Sequence, residues 1–253
     1  MRTPVISALA ALIATCSFAR VDPESAVGIW LFDEGSGDTA ADSSGNGNDG
    51  ELVDAVWGEG VRGDAVEFDG ASHVAFPATA STDDYVAGFT YMLWVDVVLA
   101  GNGANTRIME RDWHNPTIQV GGSDFYGSIV TGANDIGNGI RGGAYVPGEY
   151  VHVALTHDGS TLILYVAGEA VNESTVGEPT LTNANDGGAI WLARWKAAGW
   201  DLTGRVDEVA AFNEALEQGD IQDLMTDGFD GFLAVQARGK LATSWGRLKA
   251  SAR

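Results

Sequence analysis

The segment Asp42-Ser43-Ser44-Gly45-Asn46-Gly47 places oxygen-bearing side chains at alternate positions and a glycine at the sixth. Calcium-wrapping loops have this spacing, because the ion takes six to eight oxygens and the glycine permits a sharp turn. The twelfth loop position is Val53, so the bidentate glutamate of a helix-loop-helix calcium site is missing. Asp42, Ser44 and Asn46 are therefore candidate ligands that need partners from elsewhere. The same residue types also build Asx turns, in which the side chain caps nearby amides. A second chemistry is sugar binding, by Trp113 beside His114 and Asn115, and by Trp195 and Trp200 around Arg194 and Lys196. Aromatic faces suit the C–H faces of sugars, and arginine adds donors. The alternative use of these tryptophans is packing. The histidines, His73, His114, His152 and His157, are too scattered to argue for zinc. No Gly-x-Ser-x-Gly elbow accompanies them. Asn172-Glu173-Ser174 has the pattern of a glycosylation acceptor.

Short runs rich in Val, Ile, Trp, Tyr and Phe recur between Gly, Asn and Asp clusters, which predicts strands joined by turns. The expected strands are Ala26–Phe32, Ala65–Phe68, His73–Phe76, Phe89–Val98, Arg107–Glu110, Thr117–Val120, Tyr126–Thr131, Tyr150–Thr156, Thr161–Val166, Ala189–Arg194 and Arg205–Phe212. The Asp-Gly of His157-Asp158-Gly159-Ser160 suits a hairpin, as does Asp69-Gly70-Ala71-Ser72. One helix is expected, roughly Glu214 to Met225, with Asn213 as N-cap and an end near Gly228. The pattern predicts an all-β, two-sheet antiparallel jelly-roll sandwich with one short C-terminal helix.

Residues 1–19 read as a secretory signal: Arg2, an apolar run from Val5 to Ala14, and small Ser17 and Ala19 before a cleavage point. A second reading lipidates Cys16. The run is too short to span a bilayer comfortably, and no other stretch in the mature chain could. Cleavage removes the single cysteine, so the mature protein holds no disulfide, which suits a bacterial exported protein with a sizeable core. The body, 20–230, carries eight basic against 35 acidic side chains, a net of −27, whereas the tail, 231–253, stands at +5. Such acidity argues against a nucleic-acid partner. In the tail, Leu241, Trp245 and Leu248 have helical spacing, so a basic amphipathic helix docking on an acidic surface stands beside a plain solvated end.

An ordered set of motifs carries a family resemblance. It comprises Gly28-Ile29-Trp30-Leu31-Phe32-Asp33-Glu34-Gly35-Ser36-Gly37, Asp42 to Gly50, Ala65-Val66-Glu67-Phe68-Asp69-Gly70, Gly148 to Gly159, and Gly204 to Leu216. The set resembles the laminin-G-like jelly rolls of the concanavalin A-like lectin and glucanase superfamily, over nearly the whole body. The resemblance implies a secreted fold used to bind glycans, proteins or matrix. It also implies that the strands bearing Asp33 and Asp207 are close, so that Asp33, Asp42 and Asp207, with Ser44 and Asn46, converge on a structural Ca2+. The family pattern has Asp or Asn before the glycine after Val166, where Ala167 stands here. Glucanases of the superfamily set carboxylates along one strand as Glu-x-Asp-x-x-Glu. The nearest match, Glu110-Arg111-Asp112-Trp113-His114-Asn115, ends in Asn115, so one working carboxylate is missing and no enzyme is expected. The expected protein is an exported non-catalytic binding module for a glycan or a cell-surface or matrix partner. Its glycan ligands are Trp113, Arg194, Trp195 and Trp200. The alternatives are a cell-envelope structural or protein-interaction module docked by its tail, and a divergent glycoside hydrolase.

Overall fold

Alternation of apolar and polar residues builds two antiparallel sheets that face each other. The computed structural model describes residues 21–82, 87–100, 106–111, 114–131, 139–179, 188–195 and 199–235. The expected signal and cleavage point, Trp113, Lys196 and the tail from 236 lie outside the described residues. In chain order the strands are β1 (Ala26–Trp30), β2 (Thr39–Ala40), β3 (Gly50–Val53), β4 (Val56–Glu59), β5 (Asp64–Asp69), β6 (His73–Phe76), β7 (Phe89–Ala100) and β8 (Thr106–Arg111). There follow β9 (Thr117–Gly121), β10 (Asp124–Ser128), β11 (Ile140–Gly142), β12 (Tyr150–His157), β13 (Thr161–Val166), β14 (Glu169–Thr175), β15 (Ile190–Leu192) and β16 (Leu202–Phe212), then the helix α1 (Gln218–Asp227). The first sheet runs β14-β13-β12-β7-β16-β5-β4, with β1 also on β16, and the second runs β11-β10-β9-β8-β15-β6-β3-β2.

The main core fills the space between the sheets. Phe89, Leu93 and Val95 of β7 meet Ile108, Ile118, Val120 and Phe125 of the second sheet, all fully buried. The sandwich expected from the sequence is what forms. Five strands escaped the sequence pattern: β2, β3, β4 and β11, which at two to four residues show little alternation, and β14, whose residues are almost all exposed and so carry no apolar face. The Asp-Gly hairpin forms as expected, with Asp158 Oδ1 accepting from Ser160 N at 2.9 Å and Thr161 N at 2.7 Å. At the next hairpin Ala167 takes φ 52° and Gly168 φ 77°, so alanine holds a left-handed position that Asp or Asn fills more readily.

The first sheet buries its outer face too. Met92, Ala154, Tyr165, Ala210 and Phe212 form a second core with Ile221 and Leu224 of α1 and with Phe229 and Phe232. The helix begins at Gln218, four residues later than expected. The stretch before it is pinned in another shape: Glu214 Oε1 accepts from Ser25 Oγ at 2.6 Å, and Thr90 Oγ1 donates to the Glu214 carbonyl at 2.8 Å. Residues 230–235 are also helical, and Phe232 is 1% exposed, so packing continues past the expected boundary at 230. At one side the sheet edges meet: Asn172 Nδ2 of β14 donates to the Arg141 carbonyl of β11 at 2.8 Å. A Cβ on Gly142 there would stand 3.0 Å from Val171 Cγ2.

Candidate functional site

The outer face of the second sheet is polar and aromatic. In β9, Ile118 and Val120 point into the core, so Thr117 and Gln119 point out. The same alternation turns Tyr126 and Ser128 of β10, Trp191 of β15 and His73 of β6 outward. A register shift in β8 between Arg107 and Met109 lets both Ile108 and Met109 enter the core. It leaves Arg107 and Glu110 on the outer face, beside Gln119 and Trp191 respectively. The loop from β15 to β16 is docked on β8 by two backbone bonds, Arg107 N to Trp200 O at 2.8 Å and Ala193 N to Ile108 O at 2.9 Å.

The centre of this face is a hydrogen-bonded network. The Arg107 guanidinium and the Glu110 carboxylate are in direct contact. Glu110 Oε1 accepts from His114 N at 3.0 Å. Burial pushes the Glu110 carboxyl up to about 7, against the pull of Arg107. Burial, then Arg107, holds the His114 imidazole down at about 4. His114 Nδ1 lies 3.1 Å from Ser128 Oγ and 3.2 Å from the Gln119 carboxamide. The Arg107 guanidinium sits over the Trp200 ring, 5.6 Å from its centroid, and Trp200 packs edge-on to Trp195 at 6.1 Å. Arg194 pairs with Asp201 at 2.6 Å and lies 3.2 Å from His73 Nδ1. His73 in turn packs on the Trp191 ring at 5.3 Å.

Arg194, Trp195 and Trp200, the sugar candidates of the sequence, therefore lie in one loop against this network. Arg107, His73, Gln119 and Tyr126 escaped the sequence reading, and His114 entered it only as a neighbour of Trp113. The available signal was polar residues on one alternating face of β9 and β10, and the scatter of histidines along the chain hid that two of them share that face. His152 is buried on the outer face of the first sheet, edge-on to Trp94 at 5.4 Å. His157 accepts from Gly159 N at the hairpin, at 3.1 Å.

The calcium candidates are not assembled as expected. Among the described residues no three Asp, Glu, His or Cys side chains gather into a metal-holding group. Asp42 Oδ1 accepts from Ile29 N at 3.1 Å and Ser44 N at 2.9 Å, and its Oδ2 from Asn48 N at 3.0 Å. Asn46 Nδ2 donates to the Ala26 carbonyl at 2.6 Å, and Ser44 is fully buried. These bonds knit the loop to β1. Asp207 instead receives the β4–β5 turn: its Oδ2 accepts from Val61 N at 2.8 Å and Arg62 N at 3.0 Å, and its Oδ1 from Glu208 N at 2.8 Å. Asp33 holds the other side of that turn through Asp64 N at 3.0 Å. So Asp33 and Asp207 are brought together, as the resemblance implied, while Asp42 is committed to another loop. Burial raises the Asp207 carboxyl to about 6 and the Glu208 carboxyl to about 7.

Comparison with known proteins gives the fold a lineage. No curated protein sequence matches the chain. Domain 4 of AbnA, an extracellular GH43 arabinanase of Geobacillus stearothermophilus solved with arabinotriose, is similar at TM-score 0.61 and 18% identity, over 79% of this chain and 98% of that one. The binding domain of botulinum neurotoxin DC, solved with rat synaptotagmin II, is similar at 0.61 and 12%, over 81% of this chain and 52% of that one. A Trypanosoma rangeli sialidase is similar at 0.60 and 17%, over 79% of this chain and 32% of that one. At these identities the likeness establishes the fold alone. A family model, Laminin_G_3, matches residues 68–222, well over half of the chain. The chain thus belongs to this laminin-G-like family of the concanavalin A-like lectin/glucanases superfamily.

Proposed function

We propose that the protein is an exported, non-catalytic module that binds a glycan on the outer face of its second sheet. The observation that carries this reading is the grouping of Trp195, Trp200 and Arg194 against Arg107, Glu110 and His114. Half-buried rings beside fixed donors and acceptors are the recurring chemistry of sugar sites. The arabinotriose complex of a similar domain supports a saccharide ligand. Glycoside hydrolysis needs two working carboxyl groups. Here Glu110 is locked to Arg107, Asp201 to Arg194, and Asn115 stands where the second carboxylate of the strand motif belongs. A protein-binding reading is favoured by one observation, the synaptotagmin complex of a similar toxin domain. A glycan array with the purified mature chain tests the first reading, and binding to no glycan overturns it. Trp200→Ala should weaken any glycan hit about tenfold at unchanged fold.

A further inference from the structure

The outer face of the second sheet continues past β9 to the rim formed by β10 and β11. Phe125 and Ile140 point into the core, so Asp124, Tyr126 and Arg141 stand on the outer face. The Arg141 guanidinium lies over the Tyr126 ring, 5.4 Å from its centroid. Its Nη2 donates to Asp124 Oδ1 at 3.0 Å and to the Gly121 carbonyl at 3.1 Å, and its Nε to Asp124 Oδ1 at 3.2 Å. Solvent reaches both side chains of the pair, which are 41% and 35% exposed, and Tyr126 is half-buried. A ring beside an open ion pair thus marks this end of the face. The other end repeats it, where Trp195 and Trp200 neighbour the paired Arg194 and Asp201.

Such a pair sorts ligands by charge. Arginine has five N–H groups, and Asp124 and Gly121 take up those on Nε and Nη2, which leaves Nη1 to a ligand. A sugar hydroxyl both donates and accepts, so neighbouring hydroxyls can accept from Nη1 and donate to the Asp124 carboxylate. A ligand carboxylate only accepts. It would meet Asp124 at close range, with the chain's net charge of −21 behind it.

We infer that the bound saccharide is uncharged, and that Arg141 and Asp124 beside Tyr126 form a subsite that reads its hydroxyl groups. The inference rests on the glycan-binding reading above and names the ligand class of that face.

A glycan array carrying neutral, sialylated and uronate-containing glycans, probed with the full mature chain, tests the ligand class. The hits should be neutral glycans. A list led by sialylated or uronate glycans overturns the inference, whereas an empty list overturns the glycan reading itself. Titration calorimetry with the strongest neutral hit tests the subsite. Asp124→Asn keeps the shape and removes the charge, and Arg141→Ala removes the donors. Each should weaken binding about fivefold. The pair is partly exposed, so both variants should melt within a few degrees of the parent protein. Wild-type affinity in either folded variant overturns the subsite.

Discussion

Removing the Asp207 carboxylate leaves three amides without their acceptor, those of Val61, Arg62 and Glu208. Asp207→Ala should therefore destabilise the protein by about 2–4 kcal/mol, read as a lower midpoint in a urea titration. Near-neutral stability would show that water replaces the carboxylate. The same bonds bear on calcium. Since Asp42 and Asp207 serve separate loops, a chelator should leave the melting temperature unchanged, and a drop of several degrees would contradict that. At this scale the sequence is informative about residue type more than partner. Asp-Ser-Ser-Gly-Asn-Gly reads equally as ion ligand or Asx loop, because both uses ask for short oxygen-bearing side chains at alternate positions. Only the register of β1 against the loop decides. The tryptophans 195 and 200 were legible because an aromatic pair in a polar loop is unusual. Gln119 was not, because an isolated glutamine in a strand carries no pattern.

Among the elements, β12 carries a titratable group with no exposed face. His152 is 1% exposed, and burial holds its imidazole down at about 3. Its unfolded value is near 6.5, so below that pH the unfolded chain binds a proton that the folded chain refuses. Stability is therefore fully present above about 6.5 and falls as pH drops toward 3. His152→Phe keeps a ring against Trp94 and removes the proton site, so the fall in melting temperature between pH 6.5 and 4 should become shallower. An acid limb identical to that of the parent protein would assign it to other groups. Element type and order were readable from alternation and turn residues. Exact ends were not. The helix lost its first turn to the side-chain bonds of Glu214 and Thr90, which join residues more than a hundred positions apart. The shift in β8 that turns Arg107 and Glu110 to one face is likewise a product of pairing, not of local sequence.

For the molecule as a whole, charge and the second core set the terms. A net of −21, concentrated in the folded body, makes the compact state repel itself. Raising NaCl from 10 to 150 mM shortens the reach of that repulsion and should raise the melting temperature by a few degrees. A flat or falling response would mean that attractive pairs such as Arg205–Asp96, at 2.7 Å, dominate instead. Phe232 lies beyond the acidic body yet packs on Phe212 at 5.8 Å, so Phe232→Ala should cost about 3–5 kcal/mol by thermal or denaturant unfolding. Any truncation aimed at the basic tail should accordingly begin after Val235. The contact between β14 and β11 has a further consequence. A strand at the rim of a sheet offers unpaired amides and carbonyls to any passing chain. Here two rims shelter one another through Asn172 and the Arg141 carbonyl, while the opposite rims end in the short β4 and β2. Resistance to edge-to-edge polymerisation is thus built into how the sandwich closes, and Gly142, by letting Val171 approach, is what permits the closure.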